Sequence, residues 1–536
     1  MPKKFVLVAI GGTGMRVAQS VVSLAASGFL SDKCACDYRL EIRLVDLDIV
    51  PGSDKVELEE MIKNLNAAIP YMSIIVDDDK RNARWKPKKI EVGDDNHVKF
   101  FSTKIDDKST LDHIVTNLNP YSDAEALTFH ALFGKDDRSM ELRRGCKGRP
   151  RIGSLLWAES FDKDWESQAG FWRGIFDDMA TGDELRVMFA GSVFGGTGAS
   201  GTPTLAQKYR NACINEMNGD LTGWASHIGL TLMLPYFDIG QDTDVDCTLF
   251  SINSKMALKY YESSDALNGI EFTQFLGDDR RQMQKKNGAG EWKNVRLDRK
   301  SATNEGQNDP SMPAELMAGV GICRFFADDI PNKVFVPLKW KNEEPEESVA
   351  RGKKVPMDSF DYFPVAKAIN VDSQVKSLKD YILRLERFYL MLGEYYYRIA
   401  EKGHSWSYRP EAFRTTWGRV RKIDEIYKSN IEGIGLPLDW AVSSFRWLEE
   451  LDHHGLHSLL EIEGDVNEHK LHISEFVQQY AEMGATDFNV CGIPCADITS
   501  AMNSMSKDES APTKYFVSSL MECCIDREYK AEKVEA

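Results

Sequence analysis

Apolar residues fall in short, nearly unbroken runs over the first half of the chain and in helical spacing over much of the second. Phe5–Ile10 (FVLVAI), Leu40–Leu47, Leu185–Ala190 and His227–Leu234 have the length of strands, and turn-forming or polar residues bound them. Runs of that kind suit strands buried on both faces. Between them the spacing predicts helices. Met15–Ala26 carries Val17, Val21, Val22 and Leu24 on roughly one side, and Lys55–Ala68, Thr204–Asn218 and Asn253–Tyr261 follow. Strand, glycine turn, helix, strand is the opening of a parallel α/β domain.

Residues 53–140 interrupt this rhythm with a basic loop at Lys80–Lys89 and a polar stretch rich in Asp, Asn and Lys. They read as an elaboration within the first domain. Beyond about residue 270 a strand-like IEFTQFLG precedes a charged loop (279–310) and a helix from Pro313 to Phe326. A polar stretch at 340–360 reads as a linker. After it the pattern is mainly helical, dominated by a long amphipathic segment capped by Asp372 or Ser373 and closed near Gly403. The expected organisation is a nucleotide-binding α/β domain over 1–265, a smaller α/β part over 266–360 and a mainly helical region over 361–536.

Composition narrows the function. The chain has 536 residues, too many for one ordinary core, so several domains are expected. Its formal charge of −17 disfavours broad electrostatic attraction to nucleic acid or anionic lipid. Any phosphate ligand must then be held by local chemistry. The apolar run after MPKK is short and ends in glycine, which reads as a buried strand, not a signal peptide or membrane span. A cytoplasmic location follows as the expectation. Ten scattered cysteines suit reduced thiols, and Cys34/Cys36, Cys491/Cys495, Cys523/Cys524 and the His453, His454, His457 group lack zinc-site spacing.

Two glycine-rich loops carry the chemistry. AIGGTGMRVAQ (Ala9–Gln19) and GSVFGGTGASG (Gly191–Gly201) each follow a predicted strand and open a predicted helix. Such a junction presents unpaired backbone N–H groups at the positive end of a helix dipole, the physical basis of phosphate binding. Glycine lets the backbone approach oxygen closely, and Thr197 and Ser200 add hydroxyls. Either loop alone also reads as a tight turn. The first fits a dinucleotide turn as well, with Asp46 at the next strand end facing a ribose, although Val17 stands where that motif wants glycine. A second, richer loop argues against that reading.

Together with LVDLDIVPGS (Leu44–Ser53) and LPYFD (Leu234–Asp238), the two loops resemble the tubulin/FtsZ superfamily of GTP-binding proteins, most closely its prokaryotic tubulin-like members. The resemblance spans about the first half of the chain and is specific at the second loop. It implies a Rossmann-like parallel sheet of tubulin/FtsZ type that binds GTP/GDP and Mg²⁺. It also implies a phosphate cradle of Gly11, Gly12, Thr13, Gly14 and Arg16 with Gly195, Gly196, Thr197, Gly198, Ser200 and Gly201. Phe194 replaces the signature's first glycine, and Ala199 is one residue extra.

Further roles follow from the resemblance. GCKGRPRIG, with Lys147, Gly148, Arg149 and Arg151, matches the γ-phosphate loop, or is a solvated basic turn. Asp46 and Asp48 are hard ligands for Mg²⁺, or an acidic strand end facing water. Pro235, Tyr236 and Asp238 lie in the ribose loop. Asn253 contacts the base or caps its helix. Hydrolysis in the family depends on acids from the next subunit, for which Asp278, Asp279, Glu305 and Asp309 are the candidates, without a recognisable motif. The resemblance thus implies self-assembly into oligomers or filaments with slow GTP hydrolysis. A non-polymerising, nucleotide-gated scaffold that meets a protein partner through its C-terminal helices is the alternative, and a Rossmann oxidoreductase is a remote third.

Overall fold

The computed structural model describes residues 3–34, 37–46, 53–72, most of 85–92, 110–112, 123–140 and, with gaps, 142–295. Beyond these it describes 309–327, 378–396, 431–454 and a few isolated positions between 349 and 524. Six strands form one parallel sheet: β1 (Lys3–Ile10), β2 (Tyr38–Val45), β3 (Ile90–Val92), β4 (Glu184–Ser192), β5 (His227–Met233) and β6 (Phe272–Leu276). Their order across the sheet is β3-β2-β1-β4-β5-β6, all parallel. The chain winds outward from β1 in one direction and from β4 in the other. The sheet therefore has a topological switch point between those two neighbours, the place where ligands sit in doubly wound folds.

The helices used below are α1 (Gly11–Ala26), α2 (Asp54–Met72), the single turn α3 (Lys135–Arg138), α4 (Pro150–Trp165) and α5 (Phe171–Ala180). They continue with α6 (Thr197–Glu216), α7 (Thr248–Ser263), α8 (Pro313–Ala327), α9 (Leu378–Tyr396) and α10 (Ile431–His453). Successive strand residues point to opposite faces. Phe5, Leu7 and Ala9 join Ile42, Met188 and the helices α1, α2 and α8 in one core. Val6, Val8 and Ile10 join Val187, Phe189, Leu230 and the helices α4, α5 and α6 in the other. Burial on both faces is why β1, β4 and β5 read as nearly unbroken apolar runs, whereas β2 carries Arg39, Glu41 and Arg43 at alternate positions.

Three expectations are corrected. The boundary at 265/266 falls inside the sheet, because β6 pairs with β5 from Gly229–Phe272 to Met233–Leu276. Gln274 reinforces that union, donating to Thr231 Oγ1 at 2.7 Å and to the Ala318 carbonyl at 3.1 Å. Within 53–140, the expected helix at Lys55–Ala68 is present as α2, but the segment also supplies β3, a strand the sequence reading lacked, which extends the sheet at its edge beside β2. The two glycine loops are shorter than expected, because α1 starts at Gly11 and α6 at Thr197, not at Met15 and Thr204. Glycine is a poor interior helix residue, but it tolerates the first turn, where no i−4 bond is required of it.

The described C-terminal helices do not stand apart. Leu385, Phe388, Trp440 and Leu448 share the core of Leu58, Met61 and Leu65 on α2. Arg384 donates to the Ser27 carbonyl at 3.0 Å, and Tyr381 donates to Asp32 at 2.8 Å. Of the expected linker at 340–360 the described residues are Val349–Ala350 and Lys353–Lys354, which pair antiparallel; the start of the long helix near Asp372 and its end near Gly403 lie outside the described residues. Among the described residues, no helix is long and apolar enough to cross a membrane.

Candidate functional site

The parallel register sets Ala9 beside Ala190, so the carboxyl ends of β1 and β4 deliver both glycine loops to the same edge of the sheet. The loops touch. A Cβ placed on Gly11 would lie 3.1 Å from the Gly198 nitrogen and 3.3 Å from the Thr197 Cβ. Gly11 takes φ +71°, a left-handed conformation that turns strand into helix within one residue and favours glycine. Gly198 is needed for a different reason: a Cβ there would stand 2.7 Å from the Ser192 backbone nitrogen. Neither α1 nor α6 has a side-chain cap or an acidic residue in its first turn. Two helix N-termini without side-chain caps thus face one another at the switch point, an arrangement that favours an anion.

The second loop is held from below by an aromatic cluster. Phe194, where the signature would have glycine, is buried with its ring 5.0 Å from Phe250, 5.5 Å from Phe237 and 6.1 Å from Tyr236. Asn253 donates its amide to the Phe194 carbonyl at 3.1 Å. It sits inside α7, past the first turn, so it is not an N-cap, and its contact is with the loop. Gly195 N–H reaches Ser192 Oγ at 3.3 Å, which closes the turn.

Ser200 and Gly201 prove to be packing residues. The Ser200 hydroxyl turns back to the Gly196 carbonyl at 2.7 Å and accepts from Trp157 Nε1 at 3.1 Å. A Cβ on Gly201 would lie 2.7 Å from an Ile10 methyl. Gly14 likewise packs against strand ends, with a Cβ there 2.6 Å from the Ala190 carbonyl. What remains at the junction is the backbone of Gly11, Gly12 and Thr13, that of Gly195, Gly196 and Thr197, and the two threonines, both buried or nearly so.

The basic loop approaches the same place. α4 packs against α6 so closely that a Cβ on Gly153 would overlap the Ser200 hydroxyl. Cys146, just before α4, lies near the Thr197 side chain. Burial, together with the negative charge of Asp46, pushes the Cys146 thiol up to about 12. The register sets Val45 beside Ile10, so Asp46, the next residue, lies at the same edge of the sheet as the first loop. Arg149 and Arg151 stand at the head of α4 and both bind the Asp137 carboxylate of α3: Arg149 at 2.8 Å through Oδ1, Arg151 through Oδ2. Asp48, Lys147, Gly148, Asp279 and Glu305 lie outside the described residues. Pro235, Asp238 and Asp278 are partly exposed.

Arg16, Tyr236 and Asp309 do not take the roles expected of them. Arg16 is 1% exposed and is held in a buried ion cluster beside the loop, its Nη1 3.6 Å from where a Cβ on Gly12 would stand. Its Nε bonds Glu315 at 2.6 Å; its Nη1 bonds Asp54 at 2.9 Å and reaches Asp309 at 3.4 Å. Its Nη2 donates to Tyr236 Oη at 3.1 Å, and that hydroxyl in turn donates to Glu315. Asp54 also accepts from the Asp309 backbone at 2.8 Å. Asp309 is therefore an internal partner of Arg16, 4% exposed, and not an acid offered to another subunit.

The cluster holds three carboxyl groups against one guanidinium. Burial holds the Asp54 carboxyl well above the usual carboxylate range, against the pull of Arg16, and raises Glu315 in the same way. Arg16 stays charged: burial opposes its charge, but Glu315, Tyr236 and the two aspartates raise its pKa well above the ordinary value. Asp54 also reaches the first loop, since a Cβ on Gly12 would lie 2.5 Å from its Oδ2. Nearby, Glu450 of α10 accepts from the Ser311 N–H at 2.8 Å, and burial plus the charge of Glu57 pushes its carboxyl up to about 8.

The sequence shows Arg16 only as a cation beside a glycine loop. Its partners lie 38, 293 and 299 residues away, so no local pattern announces them. The available signal is an arginine in an otherwise small and apolar helix start. Among the described residues, no group of three or more His, Cys, Asp or Glu side chains is arranged to hold a metal ion. The chain matches no protein-family model, no curated protein and no solved structure.

Proposed function

We propose that this protein binds GTP or GDP at the switch point between β1 and β4, in the manner of the tubulin/FtsZ superfamily, and assembles with other copies in a nucleotide-dependent way while hydrolysing GTP slowly. One observation carries the binding reading: two glycine-opened helix N-termini, without side-chain caps or first-turn acids, abut at the ends of neighbouring parallel strands. Gly11–Thr13 and Gly195–Thr197 would cradle phosphates through backbone N–H groups and the threonine hydroxyls. Asn253, whose amide holds the second loop at the Phe194 carbonyl, is the candidate to read the base edge.

Mg²⁺ suits the donors near this junction only if phosphate and water supply most of its ligands. Asp46 would hold it as a single carboxylate, a common arrangement for this ion, and the ion would neutralise phosphate charge. A dinucleotide is the competing ligand, because the same strand order occurs in Rossmann enzymes. Val17, in place of the third glycine, and the second loop opposite the first favour a triphosphate.

The inward-facing Asp309 favours a second reading of the later step, in which the protein is a nucleotide-gated scaffold and not a filament former. Titration with fluorescent GTP, ATP and NAD in the presence of Mg²⁺ tests the ligand; GTP is expected to bind best. Equal or absent binding, or a Gly196→Trp variant that binds GTP normally, sinks the assignment. Sedimentation with GTP separates filament from scaffold. Turnover per molecule that stays flat as protein concentration rises counts against hydrolysis at a subunit contact.

A further inference from the structure

α7 turns apolar side chains both ways. Phe250 and Tyr261 are buried on its inner side, while the opposite side carries Ile252, Met256 and Tyr260 at i, i+4, i+8 spacing. Ile252 is 54% exposed and Met256 63%. A helix packed on one side ordinarily puts polar groups at its outermost positions. Lys255 and Lys259, also exposed, run along one side of this stripe. The helix Asp123–Leu132 repeats the anomaly. Phe129 and, just past the helix, Phe133 enter the core, whereas Leu127 and Leu132 stand 71% and 62% exposed. Ala124 and Ala131 are exposed on the same outward side, between those leucines. The segment carries Asp123 and Glu125 and neither lysine nor arginine.

We infer that copies of this chain join head to tail, the outer face of α7 on one copy against the outer face of Asp123–Leu132 on the next. Both faces are exposed in the same chain, so neither covers the other within it. They match in shape: the Ile252–Met256 ridge fits the trough that alanines leave between two leucines. They match in charge as well, with lysines along one helix and acidic residues in the other, which steers the encounter. Because the two surfaces differ, each bound copy keeps one free, and growth continues unless the rotation closes a ring. The contact includes neither glycine loop and requires no nucleotide. It goes beyond the GTP-dependent assembly proposed above and stands without it.

The test uses the full chain without nucleotide, in sedimentation velocity runs over a range of concentrations. The wild type should pass from monomer to species larger than a dimer. Met256→Glu and Leu127→Glu each alter an exposed side chain, and each should weaken association about tenfold or more. Thermal melts matching the wild type show that both variants fold. Mixed together, the two variants should form a one-to-one dimer and nothing larger, because one intact α7 face meets one intact Asp123–Leu132 face. In the wild type, oxidation of Met256 by hydrogen peroxide should slow as protein concentration rises, a readout that needs no variant. Three results overturn the inference: a wild type that stays monomeric, a Leu127→Glu variant that assembles normally as a symmetric α7 pair would, or a Met256 equally protected at every concentration by its own chain. None of them bears on the GTP assignment, and a protein that binds no GTP leaves this contact standing.

Discussion

The two glycine loops share the letters GGTG, lie on neighbouring strands and rest on opposite kinds of support. Behind the first, Arg16 binds three buried carboxyl groups and a tyrosine. Behind the second, Phe194, Phe237, Phe250 and the same tyrosine, Tyr236, pack in edge-to-face and tilted pairs, and Trp157 fastens Ser200. Charge partners are directional and long-range, so the first loop is fixed by segments far along the chain. Aromatic packing is local and tolerant, so the second loop is fixed mainly by its own strand and the next one. Similar motifs can therefore fail in different ways, the first by unpairing a charge and the second by opening a cavity.

The largest test removes the cation. Arg16→Met leaves three carboxyl groups buried without it, a change that costs about 3–5 kcal/mol when one partner of a buried pair is lost. Urea unfolding should show that loss, with hydrogen exchange rising first over 11–16. Equal exchange gains at both loops would erase the contrast drawn here. Next, Phe194→Ala should cost about 3 kcal/mol through the cavity it leaves, and its exchange gains should centre on 192–197.

A third test uses pH, to which the aromatic side should be indifferent. Glu450 passes from an ordinary value of 4.5 in the unfolded chain to about 8 in the folded one. The folded state holds the proton across that window, so stability is greatest below about pH 4.5 and falls as pH rises toward 8. The slope from this group is up to about 1.4 kcal/mol per pH unit. Glu450→Gln should flatten it; an unchanged slope would remove Glu450 from the account. The smallest effect is expected of Ser200→Ala, about 1 kcal/mol from the lost Trp157 bond, with GTP affinity unaltered because the hydroxyl faces its own helix. A large loss of GTP binding in that variant would return Ser200 to the phosphate site.

Much of the sheet was legible in the sequence. FVLVAI is apolar on both alternations and LRVMFA is so apart from Arg186, as a strand covered on two sides requires, and both are strands beside each other. Other elements left weaker traces. Ile90–Val92 is three residues long with two exposed, too short to carry a period. Phe272–Leu276 was legible as a strand but not as a member of the sheet, because pairing with Gly229–Met233 is a tertiary fact. At the site, the convergence of the loops was legible from their repetition. The inward turns of Arg16, Ser200 and Asp309 were not, since side-chain direction depends on partners that sequence spacing does not reveal.

The Arg16 cluster also bears on how the chain is made. β1 is made before its partners: one of its two sheet neighbours begins only at Glu184, and the last carboxylate that Arg16 needs is Glu315. A nascent chain halted before residue 309 would have α1 but neither Asp309 nor Glu315 to neutralise its arginine. The N-terminal half is thus not self-sufficient during synthesis, and contacts of such sequence separation close late. The first glycine loop acquires its final backing only after Glu315 has left the ribosome.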